Sequence, residues 1–178
     1  MRFLKFLGFY IMNSIVNKLP FHYIRYVCYK YIFQVQIDAS ASILRNVKLL
    51  YPKNITIGNN SIINWSVLID GRGSKVIIGN NVDIAPEVNI WTLQHDPDSQ
   101  THEVKSAEVI IENYCWIGNR AIILPGVRIA EGTVIAAASV VTKSTEPYCL
   151  YGGIPAKKIR ELNVKQKSMN LNYKPWFM

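Results

Sequence analysis

From Ile111 onward an aliphatic residue returns at every sixth position: Ile111, Ile117, Ile123, Ile129, Ile135 and Val141. Three shorter runs share the spacing: Ile37, Ile43 and Leu49; Ile57, Ile63 and Ile69; Ile78, Ile84 and Ile90. A second series, four residues after each aliphatic, is mostly small: Ala41, Val47, Ser61, Val67, Gly73, Val82, Val88, Cys115, Ala121, Val127, Thr133 and Ser139. Turn-forming residues gather between the two, as in IGNNS from Ile57, IGNNV from Ile78 and IGNRA from Ile117. Gly and Asn accept the positive φ of a tight corner. One large and one small inward position in six residues describe a short strand and a corner. Three such units close a triangular turn, and the runs add up to an all-β solenoid of about five turns. A β-sandwich does not hold a six-residue period over this length.

The period slips at three places, after Leu49, Ile69 and Ile90, and the last slip is the long one. Insertions at corners project outward without disturbing a stacked core. The long one spans 91–110, contains WTLQHDPDSQ, and carries His95. Loops on rigid scaffolds are where chemistry collects, and a neutral imidazole can take a proton from a hydroxyl near neutral pH. His102 lies in the same loop and is expected to be solvated. Ahead of the coil (37–145), residues 1–36 read as two amphipathic helices, about 2–18 and 21–33, separated by Pro20. The first begins like a signal peptide, but its apolar run is short, holds Asn13 and Ser14, and precedes no small-residue cleavage site. It is too short and interrupted to span a bilayer. The two helices either pack on the body of the protein or rest an aromatic and cationic face on a membrane. The C-terminal extension, 146–178, is expected to begin with a short helix.

The chain has 178 residues, 49% hydrophobic and 18% charged, which describes one folded domain. Cys28, Cys115 and Cys149 make no CxxC and are odd in number, which suits a reducing, cytoplasmic setting, with membrane association at the inner face a further option. The net charge of +8 is uneven: 1–36 holds Arg2, Lys5, Lys18, Arg25 and Lys30 with no acid, and 157–178 holds six basic residues against Glu161. Nucleic-acid binders spread such charge over a surface. Two basic ends on a mildly acidic body point to local anion sites instead, either ligand phosphates or lipid.

IGNNVDIAPEVNI, QHDPDS, CWIGNRAIILPGVRIAEGTVIAAASVVTK and GGIPAKKIR together resemble the hexapeptide-repeat acyltransferases, in particular the sugar O-acetyltransferases of the maltose, galactoside and colanic-acid types. The resemblance covers about 37–160. It implies a left-handed parallel β-helix, acetyl-CoA as co-substrate, no metal, and a homotrimer whose sites lie between subunits. It assigns the general base to His95. The group that orients the ring stays open among Asp70, Asp96 and a backbone carbonyl. Asn64 falls near the acetyl group and Trp116 at the wall of the acceptor site. Asn119 and Ala137 would face the pantetheine, with Thr142 and Lys143 following at the end of the coil. Lys157 and Arg160 would meet the nucleotide phosphates, where charge-assisted hydrogen bonds are strong. Cys115, at a small inward position, is expected to be buried and inert.

The acceptor implied is a sugar hydroxyl of a polysaccharide or glycan precursor, or else an amino sugar or another small molecule. Two readings compete with transfer. A zinc enzyme of this coil needs three histidines, and His22 stands far from His95 and His102 in sequence. A purely structural or membrane-docking coil is the non-catalytic alternative.

Overall fold

The computed structural model describes residues 2–163, 170, 171, 173 and 175–177. The chain opens with α1 (Arg2–Ser14), a 3-10 turn (Val16–Lys18), α2 (His22–Val27) and a π turn (Cys28–Ile32). Five three-sided turns follow. The first is β1 (Gln36–Ile37), β2 (Ser42–Ile43) and β3 (Lys48–Leu50); the second is β4 (Ile55–Ile57), β5 (Ile62–Ile63) and β6 (Leu68–Asp70). The third, β7 (Val76–Ile78), β8 (Asp83–Ile84) and β9 (Asn89–Trp91), leads into the hairpin of β10 (Leu93–His95) and β11 (Val104–Ser106). The fourth is β12 (Val109–Ile111), β13 (Trp116–Ile117) and β14 (Ile122–Ile123); the fifth is β15 (Arg128–Ile129), β16 (Val134–Ile135) and β17 (Val140–Val141).

Each strand pairs in parallel with its equivalent one turn away, giving three faces. The first face runs β1-β4-β7-β12-β15, the second β2-β5-β8-β13-β16, and the third β3-β6-β9-β14-β17. The fold is the parallel β-helix that the six-residue period predicts. All fifteen periodic aliphatics, from Ile37 to Val141, are at most 5% exposed. Each contributes about 1.5–3 kcal/mol by leaving water. The small series is buried too, Gly73 apart, and Ser61 and Thr133 are satisfied by the backbone: Ser61 Oγ donates to the Gly79 carbonyl at 2.7 Å, and Thr133 Oγ1 to the Glu146 carbonyl at 2.9 Å.

The corners explain why the beat is six. Three residues after the aliphatic, the backbone turns left-handed at Asn46, Asn60, Ser66, Asn81, Glu87, Tyr114, Arg120, Gly126, Gly132 and Ala138. Only half of these are Gly or Asn, the residues that tolerate this conformation. The stacking of rungs overrides local preference at the rest.

Two ends close the coil. At the first turn the helices cover strand edges that would otherwise be bare. Asn13 donates to the Leu49 carbonyl and accepts from its amide, at 3.0 and 2.9 Å. Asn17 donates to the Val47 carbonyl, and the fully buried Arg25 to those of Ile43 and Leu19. At the far end, where a short helix was expected, the chain forms an antiparallel hairpin. Its strands are β18 (Cys149–Gly153) and β19 (Ala156–Glu161), and β18 adds to the second face beside β16. GGIPAKKIR therefore runs extended, with Gly152 opposite Lys157. Gly152 packs so near Ala136 and Ser139 that a Cβ there would lie 3.2 Å from Ala136 Cβ.

Candidate functional site

The hairpin that carries His95 springs from the corner between the third and first faces. Its pairs are Leu93–Ser106, Gln94–Lys105 and His95–Val104. The base of the hairpin sits on Gly73. A Cβ on that residue would come within 2.7 Å of both Ser106 Cβ and the Thr92 carbonyl oxygen. Gly73 is thus the seat of the loop rather than one more interior position, a role its place in the six-residue series conceals.

The His95 ring is exposed, and its Nδ1 lies 2.9 Å from the His102 carbonyl oxygen. A carbonyl only accepts, so Nδ1 is the donor, and in the neutral ring that tautomer leaves the lone pair on Nε2. Of the three orienting groups open to the sequence, the geometry favours the backbone carbonyl. Asp70 is engaged elsewhere: it is fully buried, and Arg72 donates to both of its carboxylate oxygens at 3.0 Å. Asp96 is held by Lys105 at 2.7 Å, and that ammonium keeps its carboxyl below the usual aspartate range. His102 is exposed, as expected of a solvated loop residue, and it also stacks on His95, with ring centroids 3.6 Å apart and planes 11° from parallel. Its backbone is left-handed, which aims the carbonyl back at the ring. No short-range pattern marks His102 for this part.

Asn64 and Trp116 belong to the second face. Asn64 donates to Asp83 Oδ1 at 3.1 Å and to the Ile84 carbonyl at 3.0 Å. Trp116 pairs with Asp83 in register and is half exposed. Burial raises the Asp83 carboxyl above its ordinary value. Asn119 and Ala137 are exposed at the corner between the second and third faces, where the Asn119 carbonyl accepts from the Ala138 amide at 2.9 Å. Gly118 allows this close stacking, since a Cβ there would meet the Ala137 nitrogen at 2.6 Å. Lys157, across from Gly152, flanks the same corner, and Arg160 is exposed further along β19. Thr142 and Lys143 are exposed after β17, beyond the third face. One chain therefore divides the predicted site into separate places, with the His95 imidazole at one corner and Asn119 and Ala137 at another. Two concavities of about 610 and 520 Å³ lie elsewhere, one beside Tyr31 and Gln36, the other beside Asn13 and Asn46, and neither is lined by a predicted site residue.

Burial pushes the Cys115 thiol up to about 12, which makes it a poor nucleophile. Among the described residues no group of His, Cys, Asp and Glu is arranged to hold a metal ion.

The model of the bacterial transferase hexapeptide family (six repeats) matches residues 108–143. Galactoside O-acetyltransferase of Escherichia coli strain K12 is 38% identical over 120 residues, covering 66% of this chain and 59% of that protein. The match thus spans less than two thirds of that relative's length. A hexapeptide-repeat acetyltransferase from Vibrio cholerae is 30% identical, with a TM-score of 0.77 over 86% of this chain and 88% of that one. A structure of such a protein from Vibrio cholerae O1 biovar eltor, complexed with acetyl coenzyme A, gives a TM-score of 0.80 at 28% identity, over 88% and 86% of the two chains. With the coil, its corner chemistry and these likenesses together, the chain belongs to the hexapeptide-repeat transferase family.

Proposed function

We propose that this chain transfers the acetyl group of acetyl-CoA to a sugar hydroxyl of a polysaccharide or glycan precursor, with His95 as general base. The observation that carries the reading is the His95 ring itself: Nδ1 tied to the His102 carbonyl at 2.9 Å, and the ring at the end of an outward strand. The acceptor O–H gives its proton to Nε2 while its oxygen attacks the thioester carbonyl. The tetrahedral intermediate collapses with cleavage of the C–S bond, and the imidazolium returns the proton to the departing thiolate. The products are the acetyl ester and free CoA. The Escherichia coli galactoside O-acetyltransferase and the acetyl-CoA complex from Vibrio cholerae support both the acceptor class and the donor.

The site is completed by other copies of the chain, as a trimer with clefts between neighbours. The separation of His95 from Asn119, Ala137 and Lys157 on one chain supports this arrangement. In such a cleft Asn119 and Ala137 face the pantetheine, Thr142 and Lys143 line its continuation, and Lys157 and Arg160 meet the phosphates. Asn64 and Trp116 bound the acceptor. Asp70 and Asp96 act on the loop rather than on the substrate, the first by fixing Arg72 and the second by pairing with Lys105. The three unpaired cysteines suit the cytoplasm, where acetyl-CoA is made.

The test is incubation of the purified protein with acetyl-CoA and a panel of sugars and lysate glycans, read by mass spectrometry. Expected is a gain of one acetyl group on a sugar acceptor with stoichiometric release of CoA. Acetylation confined to amines, or none at all, would overturn the reading.

A further inference from the structure

α1 packs one side on the coil and leaves the other bare. Met12 is buried and Asn13 is bonded to Leu49, whereas Phe3, Leu4, Phe6 and Tyr10 are 75, 70, 69 and 61% exposed. At helical spacing Phe3, Phe6, Leu7 and Tyr10 lie together opposite Met12. A helix face turned to water is ordinarily polar, and a contiguous apolar strip marks a surface that something covers. The second helical segment continues the theme, with Tyr23, Tyr31 and Ile32 exposed and Lys30 Nζ held 5.9 Å from the Tyr31 ring centroid.

Charge decides what the cover is. Residues 1–36 contain five basic side chains and no acid; Arg25 is buried under the first rung, which leaves Arg2, Lys5, Lys18 and Lys30 as the other cations of the segment. A second copy of this face would set cations against cations with no carboxylate in the segment to meet them. An anionic lipid surface satisfies both the aromatic strip and the positive charge. Among the described residues no helix is long and apolar enough to cross a membrane, so the contact lies in the plane of the interface. We propose that residues 1–36 dock this chain on an anionic bilayer, with Phe3, Phe6 and Tyr10 entering the lipid.

The experiment pellets the full chain with vesicles of about 30% phosphatidylglycerol in phosphatidylcholine, and with pure phosphatidylcholine. Roughly fivefold of affinity per basic residue near the surface predicts at least tenfold preference for the anionic vesicles, lost in high salt. The F3S/F6S/Y10S variant should partition at least tenfold more weakly while keeping its circular dichroism and its sedimentation mass. Should that variant's dichroism change, K5E/K18E decides, with an expected loss of tenfold or more. Equal partitioning of parent and variant, or no anionic preference in the parent, overturns the proposal. So does a fall in sedimentation mass in the F3S/F6S/Y10S variant, because it assigns the strip to a second copy. CoA release with a soluble sugar reads out the proposed reaction separately and is expected to be unchanged.

Discussion

Replacing His95 with alanine removes the proposed base while touching little else. General-base catalysis contributes about 10²–10⁴-fold, or about 2.7–5.4 kcal/mol of barrier at 1.36 kcal/mol per tenfold. The folding cost is far smaller. His95 is exposed, and its strand pairing with Val104 is made by the backbone, which alanine preserves. What is lost is the stack on His102 and the exposed Nδ1–H bond to the His102 carbonyl, together about 1–2 kcal/mol. In a chain of 178 residues that lowers the melting temperature by about 8 °C or less. Release of CoA thiol in the presence of acceptor gives kcat, and a thermal melt gives stability. The expected result is a kcat at least a hundredfold lower with KM for acetyl-CoA little changed. A kcat within tenfold of the parent, in a variant that still melts cooperatively, would refute the assignment of His95.

Neutralising Lys157 and Arg160 together should raise KM for acetyl-CoA by tenfold or more and leave that for the acceptor; a rise confined to the acceptor would contradict a phosphate role. Gly73→Ala forces a Cβ within 2.7 Å of the hairpin base, so kcat should fall by about tenfold through displacement of His95, while the far-ultraviolet dichroism of the coil stays unchanged. Asp83 gives a pH signature. Its folded value lies above the ordinary 3.8, so it favours the folded chain below pH 3.8, and that advantage is lost as pH rises through the raised value. At pH 7 the half-buried carboxylate is a net cost, and Asp83→Asn, which keeps an oxygen acceptor for Asn64, should raise the melting temperature there but not below pH 3.8.

The coil was legible because its code is local and repeated. A buried Ile every six residues needs no knowledge of distant partners, and all fifteen of those positions point inward. The C-terminal hairpin was not, because GGIPAKKIR is extended only by pairing with Leu150 and its neighbours, and β18 in turn with β16. Its basic residues alone suit a helix equally well. In the loop, His95 stood out by its surroundings, but the carbonyl 2.9 Å from its ring belongs to a residue seven positions on, brought back by the antiparallel turn. Gly73 was hidden for the opposite reason: it fits the series of small residues, and only the folded chain shows that it meets Ser106.

A stack of near-identical rungs has no internal reason to stop, since the last edge offers the same donors and acceptors as the one before. Here the open side of the first rung is taken up by Asn13, Asn17 and Arg25, which plug Leu49, Val47 and Ile43 with side-chain bonds. The leading helices thus act as a stopper. Without them the coil would be a seed for end-to-end growth into fibres, which makes the first thirty-five residues a guard on solubility whatever else they touch.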